Sequence, residues 1–236
     1  MDRLFRVLAL GAVAIALAGC TTDDYRYKLT LTLDTPDGPK TAFNVVAMHV
    51  FATQWGVRND LRGEALYVDM GEGRRPLVAL LTAQNPPFIA RKKGGWAEVG
   101  PYFLGNIYRD GKLQKAPLHD PHEMLPDQLP DLVTFSDVND PSTAIAVDPE
   151  HLEATLGSGV SWRSLTIELT DEPATTGIAK KLPWLADNRH FWQSFQTDPR
   201  YYKVAEVSGG TPHSWTSVGV TPGMRTVGIK DFVRND

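Results

Sequence analysis

Polar and apolar residues alternate with a period of two near the start of the chain. Between residues 25 and 33 every odd position is Tyr or Leu, and every even position is Arg, Lys or Thr. This alternation predicts a β-strand with one buried face. Residues 34–39, Asp-Thr-Pro-Asp-Gly-Pro, supply turn chemistry, and residues 41–51 have the composition of a returning strand. We therefore predict that the two segments form an antiparallel hairpin.

A second hairpin is predicted between residues 63 and 81. Two apolar segments, Gly63–Met70 and Pro76–Leu81, flank a short glycine-containing turn at residues 71–73. Residues 77–81 are apolar at every position, which predicts a central strand that is buried on both faces. The sequence Gly-Glu-Gly-Arg-Arg at 71–75 lacks the third glycine and the lysine of phosphate-binding loops, so we interpret it as a turn.

The remainder of the chain predicts short elements separated by loops. Further strands are predicted at residues 132–135, 144–147, 162–169, 201–207 and 227–233. Asp148-Pro149-Glu150 is typical of a helix start, with Gly157 as its end, and a second short helix is predicted at Gly177–Leu182. The proline-rich residues 84–130 are interpreted as loops with one short helix. We predict an α+β fold that is predominantly β, an antiparallel sheet built from hairpins with one or two short helices.

The first nineteen residues have the layout of a secretory signal peptide. Arg3 and Arg6 precede an apolar run at residues 7–17, and small residues follow at 18 and 19. At ~1.5 Å per residue such a run reaches only about half of a ~30 Å hydrocarbon core. We interpret residues 1–19 as a removable signal peptide, residues 20–24 as a tether and residues 25–236 as a single periplasmic domain.

Leu17-Ala18-Gly19-Cys20 resembles the bacterial lipobox, whose cysteine becomes the first residue of the mature protein. The resemblance implies lipid attachment at Cys20, so that the acyl chains anchor the protein in a membrane. Cys20 is the single cysteine of the chain, which excludes an intrachain disulfide. Because Thr21 and Thr22 follow the cysteine, and the acidic residues come only after them, we expect the periplasmic face of the outer membrane. An ordinary secreted protein or a cytosolic protein with an apolar first helix are the alternatives.

Charge excludes one class of partner. The chain has 24 basic and 28 acidic residues, a net charge of −4. A mildly acidic protein offers no electrostatic attraction for the phosphates of nucleic acid. We therefore expect no nucleic-acid partner, and no sequence motif predicts a cofactor.

The sequence His119-Asp120-Pro121-His122-Glu123 is the best candidate for metal chemistry. Imidazoles and carboxylates are common metal ligands, and His119, His122 and Glu123 could converge from a turn. The spacing matches no helical HExxH motif, and the neighbouring prolines disfavour a helix. A solvated loop of charged side chains explains the same residues, so no metal ligand is assigned.

Two further segments are candidates for functional sites. Gly157-Ser158-Gly159-Val160-Ser161 lacks the Gly-x-Ser-x-Gly order of a serine nucleophile, so we interpret it as a helix end and a turn. Residues 182–195 are rich in large aromatics, including Trp184 and Trp192. Exposed tryptophans stack on sugars or anchor protein partners, whereas buried ones fill a core. Both interpretations of these tryptophans remain open at this point.

The start of the mature sequence resembles a group of uncharacterised proteobacterial lipoproteins. The resemblance rests on residues 25–30, Thr35-Pro36-Asp37-Gly38 and Gly63-Glu64-Ala65, and it implies no activity or functional residue. The sequence favours a non-enzymatic envelope lipoprotein that binds a protein or glycan partner and contacts the membrane through the Cys20 lipid. A periplasmic metal-dependent hydrolase is the alternative, so the sequence leaves open whether the protein is an enzyme.

Overall fold

A computed structural model of the protein describes residues 22–53, 56–84, 96–98, 108–109, 112–113, 120–124, 129–186, 217–219, 226–228 and 232–234. The strands within these ranges are β1 (Thr22–Asp34), β2 (Lys40–Thr53), β3 (Gly56–Glu64), β4 (Leu66–Val68), β5 (Leu77–Ala79), β6 (Thr82–Gln84), β7 (Trp96–Glu98), β8 (Tyr108–Arg109), β9 (Lys112–Leu113), β10 (His122–Glu123), β11 (Leu132–Phe135), β12 (Ala144–Ala146), β13 (Ser161–Leu169), β14 (Ser217–Gly219), β15 (Thr226–Gly228) and β16 (Val233–Arg234). The helical elements are α1 (Glu153–Leu156) and 3-10 turns at Pro141–Thr143, Ile178–Lys180 and Pro183–Leu185. The prediction of a mainly β, antiparallel fold with short helices is confirmed.

The largest sheet has the strand order β10-β13-β1-β2-β3-β16. The first predicted hairpin lies at its centre as β1 and β2, and β1 begins at Thr22, three residues before the first position of the alternation. Gly38 adopts a φ of 100° in the connecting turn and donates its N–H to the Thr35 carbonyl at 2.9 Å. Only a residue without a Cβ enters this φ region at low cost, so the turn chemistry fixes the hairpin.

A second sheet has the order β12-β11-β5-β4. The second predicted hairpin is present as β4 and β5, but its first segment is divided at Ala65 between β3 of the large sheet and β4 of the second. At Ala65 the chain crosses from the large sheet to the second sheet, and the Ala65 N–H donates to the Phe232 carbonyl at 2.7 Å. β5 is an internal strand with every side chain buried, which confirms the prediction of a central strand.

The first core fills the space between the two sheets. It contains the odd-numbered residues of β1 from Tyr25 to Leu33 together with apolar residues of β2, β3, β4, β5, β11 and β13. Tyr27, Leu31 and Leu33 are fully buried within it. Each large apolar side chain removed from water contributes about 1.5–3 kcal/mol, so this layer is the main source of stability for the large sheet. We call the opposite side of that sheet the outer face.

A second core covers the other side of the four-stranded sheet. Val78, Leu80, Val133 and Phe135 point into it, and the two 3-10 turns after residue 177 close it. β5 is therefore buried on both faces because a layer of apolar residues lies on each side of it. The predicted helix at Gly177–Leu182 exists as the shorter 3-10 turn Ile178–Lys180.

The helix predicted to begin at Asp148 begins later. α1 spans only Glu153–Leu156, and its N-terminal cap is Leu152. Asp148 instead accepts the Glu150 N–H at 2.9 Å in a local turn, since a short acidic side chain competes with helix formation in this way. Gly157 ends the helix with a φ of 104°, as predicted.

Several predictions fall on other parts of the chain. The strand predicted at residues 201–207, the signal peptide at 1–19 and Cys20 lie outside the described residues. The described parts of residues 84–130 include the short strands β7 to β10, and the short helix predicted within this range is not tested by them. Among the described residues, none of the helices has the length and apolar character needed to cross a membrane.

Candidate functional site

The candidate metal ligands are only partly described. His119 lies outside the described residues. His122 pairs with Ile167 and Glu123 pairs with Thr166, where β10 runs along the edge of the large sheet. Neighbouring residues of a strand point to opposite faces, so the side chains of His122 and Glu123 diverge. In the described part of the chain, no group of three or more His, Cys, Asp and Glu residues is placed to hold a metal ion.

Trp184 belongs to the second core. Its side chain is only 6% exposed, and its ring packs edge-on against Phe232 with centroids 5.1 Å apart and against Phe135 at 6.0 Å. Of the two interpretations left open by the sequence, the core position therefore holds for Trp184, which covers the side of β5 and β11 that faces away from the large sheet. Trp192 lies outside the described residues.

The structure reveals a different site on the outer face of the large sheet. A partly open cavity of about 510 Å³ lies where β1, β2 and β3 meet the end of β13. Its polar lining consists of Asp24, Arg26, His49, Arg62, Thr170 and Asp171. We call it the charged cavity. Small-molecule sites typically have volumes of roughly 300–1,000 Å³, so this cavity is large enough for a ligand of a few to a dozen heavy atoms.

Strand register places the two arginines in one row. Arg26 of β1 lies opposite Ala47 of β2, and Ala47 lies opposite Arg62 of β3. Residues directly opposite share a face, and strands are ~4.8 Å apart, so the backbones carrying Arg26 and Arg62 are separated by about 10 Å. The methyl group of Ala47 is the smallest side chain in the row, which leaves space between the two guanidinium groups.

The next row carries negative charge on both sides of a histidine. Asp24 of β1 lies opposite His49 of β2, which lies opposite Asp60 of β3. The Asp24 carboxylate and the Nδ1 atom of His49 form an ion pair when the imidazole is protonated. These two rows are therefore neighbours on the same face, two residues apart along the strands.

A segment that we call the strap, residues 170–177, forms one wall of the cavity. It begins beside β1, where the Thr170 N–H donates to the Arg26 carbonyl at 3.0 Å. It ends beside β2, where Thr175 Oγ1 accepts the Val45 N–H at 2.8 Å and the Thr175 N–H donates to the Val45 carbonyl at 2.9 Å. The strap therefore crosses the outer face of β1 and β2, and it carries Asp171 to the cavity.

Two contacts hold the strap in place. Lys28 Nζ on the outer face of β1 binds Glu172 Oε1 at 2.7 Å, and this hydrogen bond raises the pKa of Lys28 above its ordinary value. At the far end, Glu64 Oε2 accepts the Ile178 N–H at 2.7 Å. The cavity wall is thus fixed to both β1 and β3.

The sequence contained only part of the signal for this site. Alternation placed Arg26 on a polar face and predicted that β2 runs alongside it, but it could not show that Arg62 and Asp171 lie beside them. Those two residues reach the cavity through the β2–β3 register and through the strap, which are long-range features.

Comparisons with models of protein families, with curated proteins and with solved structures find no match to this chain. The resemblance of the N-terminal residues to proteobacterial lipoproteins stays a prediction. The charged cavity offers side chains of both charge signs on a concave surface.

Proposed function

We propose that this protein is a lipoprotein of the bacterial cell envelope that acts as a non-enzymatic binding module. In this proposal, residues 1–19 are removed and the lipid on Cys20 holds the protein on the periplasmic face of the outer membrane. The folded body captures a group on an envelope partner, a protein or a glycan, and the charged cavity is its binding site.

The observation that carries the proposal is the position of the charged cavity beside the expected anchor. Asp24 lines the cavity and follows Cys20 by four residues, a span of roughly 14 Å even when fully extended. β1 begins at Thr22, so a lipid on Cys20 would hold the cavity end of the sheet close to the membrane surface. A binding site at this end meets groups displayed close to the membrane.

The metal-dependent hydrolase receives no comparable support. It relies on His119, His122 and Glu123, and the described pair of these residues diverges on β10. The leading proposal therefore uses the charged cavity and leaves these residues without a chemical role.

The test of the proposal is the fate of Cys20 in a proteobacterial host. The full chain should incorporate labelled palmitate and sediment with the outer membrane, whereas Cys20→Ser should lose both the label and the membrane association. Thr21→Ser is the matched control and should behave like the parent chain. Thr21→Asp, which puts an acidic residue directly after the cysteine, should shift the protein to the inner membrane. Unlabelled parent protein in the soluble fraction would overturn the anchoring.

A further inference from the structure

We propose that the free edge of β2, residues 41–43, binds an extended peptide segment of a partner protein by β-strand addition. In this mode of recognition a peptide lies beside an exposed strand and exchanges backbone hydrogen bonds with it. The free edge and the charged cavity lie on opposite sides of the strap. The inference therefore goes beyond the proposed function and does not depend on the cavity.

The first part of β2 has a strand neighbour on one side only. β1 pairs with β2 from Lys40 onward, but β3 pairs with it only from Ala47 to Thr53. The chain leaves the large sheet after Glu64, where β3 ends, and continues as β4 in the second sheet. Among the described strands, none therefore pairs with residues 40–45 on the side away from β1.

The backbone groups of Thr41 and Phe43 point to this open side. In an antiparallel pair, residues alternate between those that bond to the neighbouring strand and those that point away from it. The N–H and C=O of Val45 bond to Thr175 of the strap, so they point away from β1, and those of residues 43 and 41 do the same. The Thr32 and Thr41 hydroxyls lie 3.0 Å apart, which fits, because side chains are closest at pairs without backbone bonds.

The free edge is short because both of its ends are closed. Thr175 occupies the backbone groups of Val45 at one end, and Pro39 at the other end has no N–H. Thr41 and Phe43 between them are both exposed. A row of unpaired N–H and C=O groups is a template for another strand. The matching occupant is a short extended stretch of polypeptide, since only a backbone supplies donors and acceptors at this spacing.

Phe43 adds an apolar contact at the same place. Its side chain is 52% exposed, and no other large apolar side chain is exposed in the part of the chain that the structure describes. The Lys28 ammonium lies 4.6 Å from the centroid of the ring and is itself bound by Glu172, so the ring is held on the outer face. Aromatic and β-branched residues pack well as cross-strand pairs. The partner segment therefore carries such a residue opposite Phe43.

Hydrogen exchange of the full-length chain in detergent tests whether the edge is free. The amides of Thr41 and Phe43 should exchange at least about tenfold faster than those of Ala42 and Asn44, which bond to β1. Equal protection of these four amides in the chain alone would show that something already covers the edge, and it would overturn the inference. A dimer of the chain that Thr41→Pro dissociates would identify a second copy as the occupant, and it would also overturn the inference.

A synthetic peptide tests the binding mode. The probe is a capped peptide of about five residues, alternating isoleucine and threonine, with terminal lysines for solubility, and fluorescence anisotropy is the readout. It should bind and protect the amides of Thr41 and Phe43. N-methylation of one alternate set of peptide amides should weaken binding about tenfold or more, whereas methylation of the other set should leave it unchanged, because a strand bonds to its neighbour through every second residue. Equal effects of the two methylations, or no binding to the folded parent chain, would contradict the proposal.

Two substitutions at one position separate peptide contact from damage to the fold. Thr41→Pro removes an N–H that β1 does not use, so it should abolish peptide binding while preserving the β-sheet circular dichroism spectrum. Thr41→Val loses the hydroxyl contact with Thr32 but keeps the N–H, and it should bind like the parent chain. Phe43→Thr should weaken binding by up to about fivefold. Unchanged binding by Thr41→Pro would overturn the inference, and the Cys20 labelling result is independent of all these measurements.

Discussion

The two faces of the large sheet are made by the same strands but perform different tasks. On β1 the inward residues Tyr27 and Leu31 are fully buried in the first core. Their outward neighbours, Lys28 and Thr30, retain contact with water, and Lys28 binds Glu172 of the strap. Burial stabilises the inner face, whereas pairwise polar contacts organise the outer one. The face that contributes less to stability is the one that presents the charged cavity.

Truncation of one residue on each face gives the largest expected contrast. Leu31→Ala removes a fully buried side chain and should lower the free energy of unfolding by about 2–5 kcal/mol. Thr30→Ala, one position away on the outer face, should cost about 1 kcal/mol or less. Urea unfolding of the two variants measures both values. Similar losses would contradict the division of the sheet into a packed and a polar face.

Loss of one strap contact should have an intermediate effect. Thr175→Val keeps the shape of the side chain but removes the hydroxyl that accepts the Val45 N–H. An N–H group left without a partner beside a buried side chain costs about 1–3 kcal/mol. We expect destabilisation at the low end of that range, with faster hydrogen exchange at the Val45 amide. Thr176→Val, at the exposed neighbouring position, is the control. Unchanged protection of the Val45 amide would show that the strap does not depend on this hydroxyl.

Local sequence signals predicted the elements, but not how they come together. β1, β2 and β5 follow from alternation, from an uninterrupted apolar run and from turn residues, each of which acts over a few positions. β13 and β1 pair although they are far apart in the sequence. Asp34 and Arg163, which form an ion pair across these strands, are separated by 129 positions. No local pattern encodes that pairing, so the sequence could not predict which strand borders β1 on the side away from β2.

The site depended on the same long-range features. Sequence left both a surface and a core position open for Trp184, and the structure places its ring in the second core, where it meets Phe135. Arg62 and Asp171 can be recognised as cavity residues only once β3 and the strap are known to lie beside Arg26. For the candidate metal ligands, closeness in sequence was misleading. His122 and Glu123 are adjacent in sequence, but a strand directs adjacent residues to opposite sides.

Loss of the Lys28–Glu172 contact should change the stability least, and this change should depend most strongly on salt and pH. A double-mutant cycle with Lys28→Met and Glu172→Gln should give a coupling of about 0.5 kcal/mol at low salt, and less at 1 M salt. Since the hydrogen bond raises the pKa of Lys28 above its ordinary value of 10.5, the folded state holds this proton more tightly than the unfolded state. The contribution is therefore fully present below about pH 10.5 and is lost as the pH rises through the raised value.

The Arg163–Asp34 pair on the same face provides the control for that pH dependence. Arg163 Nε donates to Asp34 Oδ2 at 3.2 Å, and a guanidinium group stays protonated throughout the range in which lysines lose their charge. The stability difference between the parent chain and Glu172→Gln should shrink above pH 10.5, whereas the difference for Asp34→Asn should stay constant. Parallel curves for the two variants would mean that Glu172 supports the strap through packing alone. In that case the outer face would depend on shape, as the inner face does, and the contrast between the two faces would be weaker.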